Sequence, residues 1–465
     1  MKTGILGSFS RKLVLQSALA GLLFHTAVSG GATIVTQISA GFNHSLFIES
    51  DGSLWGMGNN ISGQLGDGTT AQEQDFPVLI VASNVMAASA GISHSCFVTS
   101  NQVLWGMGAN SSGQLALGAL YSTNIPIPLA SNVVAVSCGG QHTLFVKSDG
   151  SLWGMGDNTE GQLGTGNYTS STNMPVEILA SNVVSVSAGN VTSLFLKSDG
   201  SLWSMGYNGG GQLGIGSTIL KTNTPQEVQS GATFAFSCGE GSHCLFVVLP
   251  GIGRMSAMGS DFFGQLGDGK SGTNSYSSEF IVPTDVSAVA AGGDHSAFIK
   301  TDGSLWAMGR NEWGQLGNCT GIGTNRPVQV LSSGVVAVSA GGNFNLFIKS
   351  DGTLWGMGAD DIGQLGIGRT GDLSCVPIRI IPPLAVEITS TTAAQTNLLL
   401  HGTNDFAPGV FHVLMSTNLA TPFNQWTPFS TNVAGSPSFN IIVTNGVDLN
   451  SAAQRFFRLQ LFQIN

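Results

Sequence analysis

Charge is what this sequence has least of. Its 465 residues carry 16 basic and 26 acidic side chains, 9% of the chain, where globular proteins average about 25%. A nucleic-acid surface needs a basic patch to neutralise phosphates, and a net charge of -10 excludes that class. Little charge beside 42% apolar residues also excludes wholesale disorder, which has the opposite balance. Cysteine is scarce: six residues, none in a Cys-x-x-Cys pattern, so the metal and redox motifs built on that spacing are absent. Beyond the amino end no segment reaches the ~18 uncharged apolar residues of a membrane helix. Nucleophile-elbow and His-Glu-x-x-His signatures are missing too, and no residue set points to a cofactor. Asp360-Asp361 lies in a repeated loop, where turn chemistry accounts for it.

What is present begins with an export signature. Residues 1–32 read as a signal peptide: Lys2, Arg11 and Lys12 form a basic start, an apolar stretch runs from Leu13 to about Phe24, and small residues permit cleavage after Ser29 or Ala32. The apolar stretch is short and interrupted for a bilayer span, so a retained anchor is the lesser alternative. The expected location is outside the cell, at its surface or in the periplasm. A membrane enters only through surface association. Cys138 and Cys238 occupy a repeat position held elsewhere by Ala40, Ala90, Ala188, Ala291 and Ala340. Cysteine in place of alanine reads as a small buried side chain, so the thiols are expected to be mostly free.

Glycine is abundant, 65 residues and about twice the usual ~7%, and it recurs in register. Gly-Gln begins a repeated motif at Gly63-Gln64, Gly113-Gln114, Gly161-Gln162, Gly211-Gln212, Gly264-Gln265, Gly314-Gln315 and Gly363-Gln364. Six copies read Gly-Gln-Leu-Gly, and the second ends in Ala116. Met-Gly lies six residues before each copy, and Leu-Trp precedes the Met in all but the fifth, which has Met255-Ser256. Each unit holds four strand-like runs, and in five of the seven Asp-Gly reads as a two-residue hairpin turn between the second and third. Runs such as Leu46-Phe47-Ile48 are continuous rather than alternating, as in strands buried on both faces. Four strands repeated seven times predict a β-propeller over residues 33–381.

The unit resembles the regulator of chromosome condensation repeat, a seven-bladed propeller family. Asn60, Asn110, Asn158, Asn208 and Asn311 match that family's motif asparagine, Asp261 and Asp360 replace it, and Met57 with its six counterparts replaces the family's Trp. The resemblance implies the propeller fold. The family's namesake activates a small nuclear GTPase and docks on nucleosomes through a basic tail and a protruding wedge. Here the copies are spaced 48 to 53 residues apart, which leaves no room for a wedge, and the export signature replaces the tail. A nuclear GTPase partner is therefore excluded at this stage. Other exported propellers resembling the family, such as some β-lactamase inhibitory proteins, bind protein partners through one face.

Gly-Gln-Leu-Gly lacks the Lys and helix of a phosphate loop. Its glycines read as tight backbone positions, its Leu as core and its Gln as a bond to orphan backbone groups. Five histidines, His44, His94, His142, His243 and His295, share one repeat position, with Thr192 and Asn345 assigned to it in the other two units. A ring of His raises a metal site, but Thr and Asn keep hydrogen bonding and weaken ligation, which favours a structural bond and no metal. The two residues before Gly-Gln vary between units. Phe262, Phe263 and Trp313 stand there in units five and six, bordered by Arg310 and Tyr207. Aromatics with Arg anchor protein interfaces, and aromatic platforms also suit sugars. The competing reading is that they cap the core.

The repeat stops near Ile381, and Pro382-Pro383 lies in a linker of residues 382–385. About six strand-like runs over 386–465 predict a small β-sandwich of immunoglobulin or fibronectin type, serving as a spacer or adhesion module. The sequence thus predicts an all-β chain: a seven-bladed propeller, then a small C-terminal sandwich. The expected function is non-catalytic binding of a protein or glycan. The alternative is a secreted carbohydrate-active enzyme, hydrolase or lyase, with acids at the propeller axis.

Overall fold

A computed structural model describes residues 34–380 apart from 119–120, 231–232, 240, 249–251 and 369–370, and beyond that span the strands named below. Residues 34–380 form one unit, and residues 1–33 with 381–465 another.

The first unit is a seven-bladed propeller. Each blade is a four-stranded antiparallel sheet whose strands follow one another in sequence, and the blades span 35–81, 85–130, 133–179, 183–229, 233–282, 286–331 and 335–380. In blade 3 the strands, from axis to rim, are Val133–Cys138, His142–Lys147, Leu152–Asp157 and Ser171–Leu179. The second strand is apolar on both faces and wholly buried in its central residues, because each blade is covered by a neighbour on either side. The core is a series of inter-blade clusters. Leu144, Val146 and Leu152 of blade 3 pack with Val183, Phe195 and Met205 of blade 4. Burying such a side chain contributes about 1.5–3 kcal/mol, and the pattern recurs at every interface. Six blades stack the second-strand Phe on the third-strand Trp, with centroids 6.2 Å apart for Phe47 and Trp55. Blade 5, with Ser256 in place of Trp, lacks that stack.

The hairpin between second and third strands differs in detail from a two-residue turn. Glu49 N–H bonds to Ser53 O and Gly52 N–H to Glu49 O, so Ser50, Asp51 and Gly52 form a three-residue loop. Only Gly52 is left-handed there, at φ 77°, as a type I turn with a following bulge requires. Asp51 is free to accept the Ser53 N–H.

The ring closes by repetition. Seven complete repeats lead one to expect the N-terminal strand near Ile34 to pair beside Pro377–Ile381. Instead Val35–Ala40 is the innermost strand of blade 1, and blade 7 meets blade 1 through the bonds used elsewhere. Gly342 N–H bonds to Gly41 O at 3.3 Å, Val35 N–H to Gly352 O at 3.0 Å, and Ala40 N–H to Ser339 Oγ at 3.0 Å. Because each unit already holds four complete strands, no strand needs to be shared.

Cysteine pairing also departs from expectation. Cys238 pairs with Cys244 across one hairpin, and Cys319 with Cys375 between blades 6 and 7. Only Cys96 and Cys138 are free, both buried. Cys244 replaces the Ser of the His-Ser position and faces Cys238 directly across the strand pair, a register that the sequence spacing did not reveal.

In the second unit the described strands are Leu13–Leu15, Glu387–Ala394, Asn397–Thr403, Gly409–Ser416, Thr427–Ala434, Ser438–Val443 and Arg455–Gln463. Asn397–Thr403 pairs with Glu387–Ala394 and Ser438–Val443, while Gly409–Ser416 pairs with Thr427–Ala434 and Arg455–Gln463. Of the predicted signal only Leu13–Leu15 is described, paired with Arg455–Phe457. The rest of it and the Pro382-Pro383 linker lie outside the described residues.

Candidate binding face

Antiparallel order decides which loops share a face. The second strand begins where the third ends, as His142 opposite Gly156 shows. The turns between first and second strands and the loops between third and outer strands therefore lie together on one rim. That rim carries the Gly-Gln motif and the variable pair before it.

The motif is a rigid bracket. The Asn60 side chain accepts the Leu65 N–H at 3.0 Å, and Gln64 Oε1 accepts the Ser62 N–H at 2.9 Å. The same two bonds recur in the other blades, with Asp261 and Asp360 accepting from Leu266 and Leu365. Burial raises the Asp261 carboxyl to about 6, against the Leu266 bond that lowers it. The last glycine of the motif is left-handed, Gly66 at φ 64°, and a Cβ there would lie 2.6 Å from Met107 Sδ of the next blade. The methionine that replaces the family Trp thus seats against its neighbour's bracket. Ala116 takes this position at φ 53°.

Behind the brackets lie the histidines. His94 Nε2 is 2.9 Å from Thr143 Oγ1 of the next blade, and that hydroxyl donates to Gln114 O at 2.8 Å. With its proton committed to the carbonyl, the hydroxyl accepts from the imidazole, which fixes hydrogen on Nε2. His142 with Ser193 and His243 with Ser296 repeat the relay. Burial, with a smaller contribution from His94, holds His44 and His142 down at about 3. His243 is held at about 3 and His295 at about 4, with burial the leading cause in both. One assignment needs correction. Phe344, not Asn345, holds the histidine position in blade 7, since it pairs with Gly358 as His44 pairs with Gly58. Asn345 takes the serine position and donates to Gln315 O at 2.8 Å. Both are polar positions one residue apart, so the sequence alone did not fix the offset.

The variable pair stands outside this frame. Phe262 is 68% exposed and meets Phe263 edge-on, with centroids 5.1 Å apart. Arg310 of blade 6 lays its guanidinium over Phe263, 4.9 Å from the ring centre. It is held there by Glu312 at 3.1 Å and Asp294 at 3.5 Å. The hydrogen bond to Glu312 raises the Arg310 pKa further, and burial raises Asp294 despite that cation. The structure therefore brings Phe262, Phe263 and Arg310 together across one blade boundary. Trp313, 37% exposed, follows on the same loop as Arg310, with its N–H held by Gln315. Tyr207 does not join them: its ring lies against Gly209 in its own blade 4 loop. The sequence reading missed Asp294 and Glu312, which orient Arg310. It also missed Tyr121, Met174 and Ile322, exposed at 80%, 73% and 73%. Tyr121 and Ile322 come just before an outer strand and Met174 within one, beyond the motif window that drew attention.

The RCC1-like domain matches residues 14–279 and again 126–405. The chain belongs to the RCC1-like domain family. Among solved structures this RCC1-like chain is similar to human WBSCR16, with 25% identity and a TM-score of 0.60 over 68% of this chain and 87% of that one. It is also similar to Prp20p of Saccharomyces cerevisiae, with 19% identity and a TM-score of 0.64 over 79% and 90%. The X-linked retinitis pigmentosa GTPase regulator homolog of Caenorhabditis elegans is 43% identical over 86 residues, 18% of this chain and 6% of that protein. The chain thus spans a small part of that relative. The exclusion of a nuclear GTPase partner is overturned by these relatives. One is named as a GTPase regulator homolog, and the Prp20p structure is described with that protein's binding to Gsp1p and histones. Uniform repeat spacing is no ground for ruling such partners out.

Proposed function

We propose that this RCC1-like propeller is a non-catalytic binding protein that holds a protein partner on the rim carrying the Gly-Gln loops. The observation that carries the reading is the exposed Phe262, backed by Phe263 and by the Arg310 that covers it from the next blade. An aromatic pair with a held guanidinium is the composition of an interface anchor, and Trp313 extends it along the blade 6 loop. The bracket beneath is fixed by side-chain oxygens that accept backbone N–H groups, so little ordering cost falls on association. The net charge of -10 favours a partner with a basic rim.

The enzyme alternative requires carboxylates at the axis. The axial cavity is lined instead by Ser, Ala, Cys, Val and Phe side chains. Export through residues 1–32 belongs to the same proposal. It is supported by the basic-apolar-small pattern and by two disulfides, which suit an oxidising compartment. The C-terminal strands we take as a sandwich that spaces the propeller from a surface.

The test is direct binding of the full chain to small GTPases in both nucleotide states, to histones and to a glycan panel. A variant with Phe262→Ala, Phe263→Ala and Trp313→Ala runs beside it. The expected outcome is a protein partner whose affinity falls at least thirtyfold in the variant, roughly 2 kcal/mol at a hot spot. Unchanged affinity would overturn the binding face, and a glycan ligand alone would overturn the partner class.

A further inference from the structure

The two free thiols lie at one blade interface. Cys96 stands where Leu46, Leu144, Leu194 and Leu245 stand in other blades, and Cys138 stands where most blades have Ala. Both belong to the cluster packed between blades 2 and 3. At each other interface at least one of the two positions is Leu or Ala, so the pair is unique within the ring.

Two further features surround it. Cys138 lines the axial cavity, about 180 Å³ in volume. His94 lies at its side: a Cβ on Gly91 would meet His94 Cε1 at 2.9 Å and Cys138 Cβ at 3.1 Å. The relay to Thr143 fixes hydrogen on His94 Nε2, which leaves the buried Nδ1 as the ring's proton acceptor. Burial opposes charge on both sulfurs. At Cys138 the neighbouring Cys96 and His94 outweigh burial and draw the thiol down, whereas burial pushes Cys96 up. A cysteine on the cavity wall beside a fully buried one has the placement of an attacking and a resolving cysteine.

We propose that Cys138 is a peroxide-reactive thiol in the axial channel, with Cys96 as its resolving partner, and that oxidation joins blades 2 and 3 by a disulfide. His94 Nδ1 takes the Cys138 proton. The thiolate attacks one oxygen of hydrogen peroxide, the O–O bond breaks, and the leaving hydroxide recovers that proton and departs as water. Cys138 is now a sulfenic acid. The Cys96 sulfur attacks the Cys138 sulfur and expels hydroxide, which leaves as water with the proton Cys96 gives up. Two thiols lose two electrons, and one peroxide becomes two waters.

The full chain, its two other disulfides intact, is treated with hydrogen peroxide, and free thiols and linked peptides are then measured under native conditions. The expected result is loss of two thiols and a Cys96–Cys138 linked peptide. Cys96→Leu and Cys138→Ala restore the residues usual in the repeat, so both variants should keep the fold. Cys96→Leu should accumulate a sulfenic acid on Cys138 that dimedone traps, and Cys138→Ala should leave Cys96 unreacted. His94→Gln should slow Cys138 oxidation about tenfold. Persistence of both thiols in the native protein would overturn the proposal. So would equal reaction of Cys96 in Cys138→Ala, or a linked peptide formed only after denaturation.

Discussion

Four imidazoles buried between blades make stability depend on acid. In the unfolded chain each titrates near 6.5, whereas in the fold His44, His142 and His243 are held at about 3 and His295 at about 4. Between those values the unfolded chain binds more protons. The contribution is therefore whole above pH 6.5 and is lost as pH falls from there toward 3. Denaturant midpoints measured from pH 7 to pH 4 should drop steadily, and a flat profile would contradict this account. Replacing His142 by Ala removes the donor to Ser193 and leaves a void, so a loss of about 2–3 kcal/mol is expected in urea unfolding. The recurrence of His was legible in the sequence. Its partner was not, because the Ser or Thr lies about fifty residues away on the next blade.

At the scale of an element, the loop bracket explains the glycines. Gly108 has φ 102°, and a Cβ there would lie 2.6 Å from Ser93 O and 2.7 Å from His94 Cα. Both obstacles are backbone, so Gly108→Ala should cost about 2–4 kcal/mol by chemical denaturation. Ala116→Gly restores the motif where φ is already 53° and should be neutral or stabilising by up to ~1 kcal/mol. The Gly-Gln loop and its Asn were readable from spacing. The hairpin disulfide Cys238–Cys244 was not, since cross-strand register depends on where each strand begins.

At the scale of the whole molecule, hydroxyls stitch the axis. Ser39 Oγ accepts the N–H of Ala90, Ser89 that of Cys138, Ser137 that of Ala188, Ser187 that of Cys238, Ser237 that of Ala291 and Ser339 that of Ala40. The seventh interface has Ala290 in place of serine, on the wall of the axial cavity. Ala290→Ser should add the missing stitch to Ala340 and stabilise by about 0.5–1.5 kcal/mol, read as a raised denaturation midpoint. The Cys319–Cys375 bridge ties blade 6 to blade 7 near the point of closure. Its loss in Cys319→Ser with Cys375→Ser should cost about 2–4 kcal/mol.

The sequence by itself determined the blade. Strand count, order from axis to rim, turn glycines and the buried second strand all follow from local period and spacing, which each repeat states seven times. Tertiary structure alone decided what lies between blades: the hydroxyl acceptors of the histidines, the seating of Met107 on Gly66, the closure of blade 7 on blade 1, and the cover of Arg310 over Phe263. These contacts join residues about fifty or some three hundred positions apart. Their geometry depends on how far each blade is rotated from the last, a property of the packed ring that no single repeat contains.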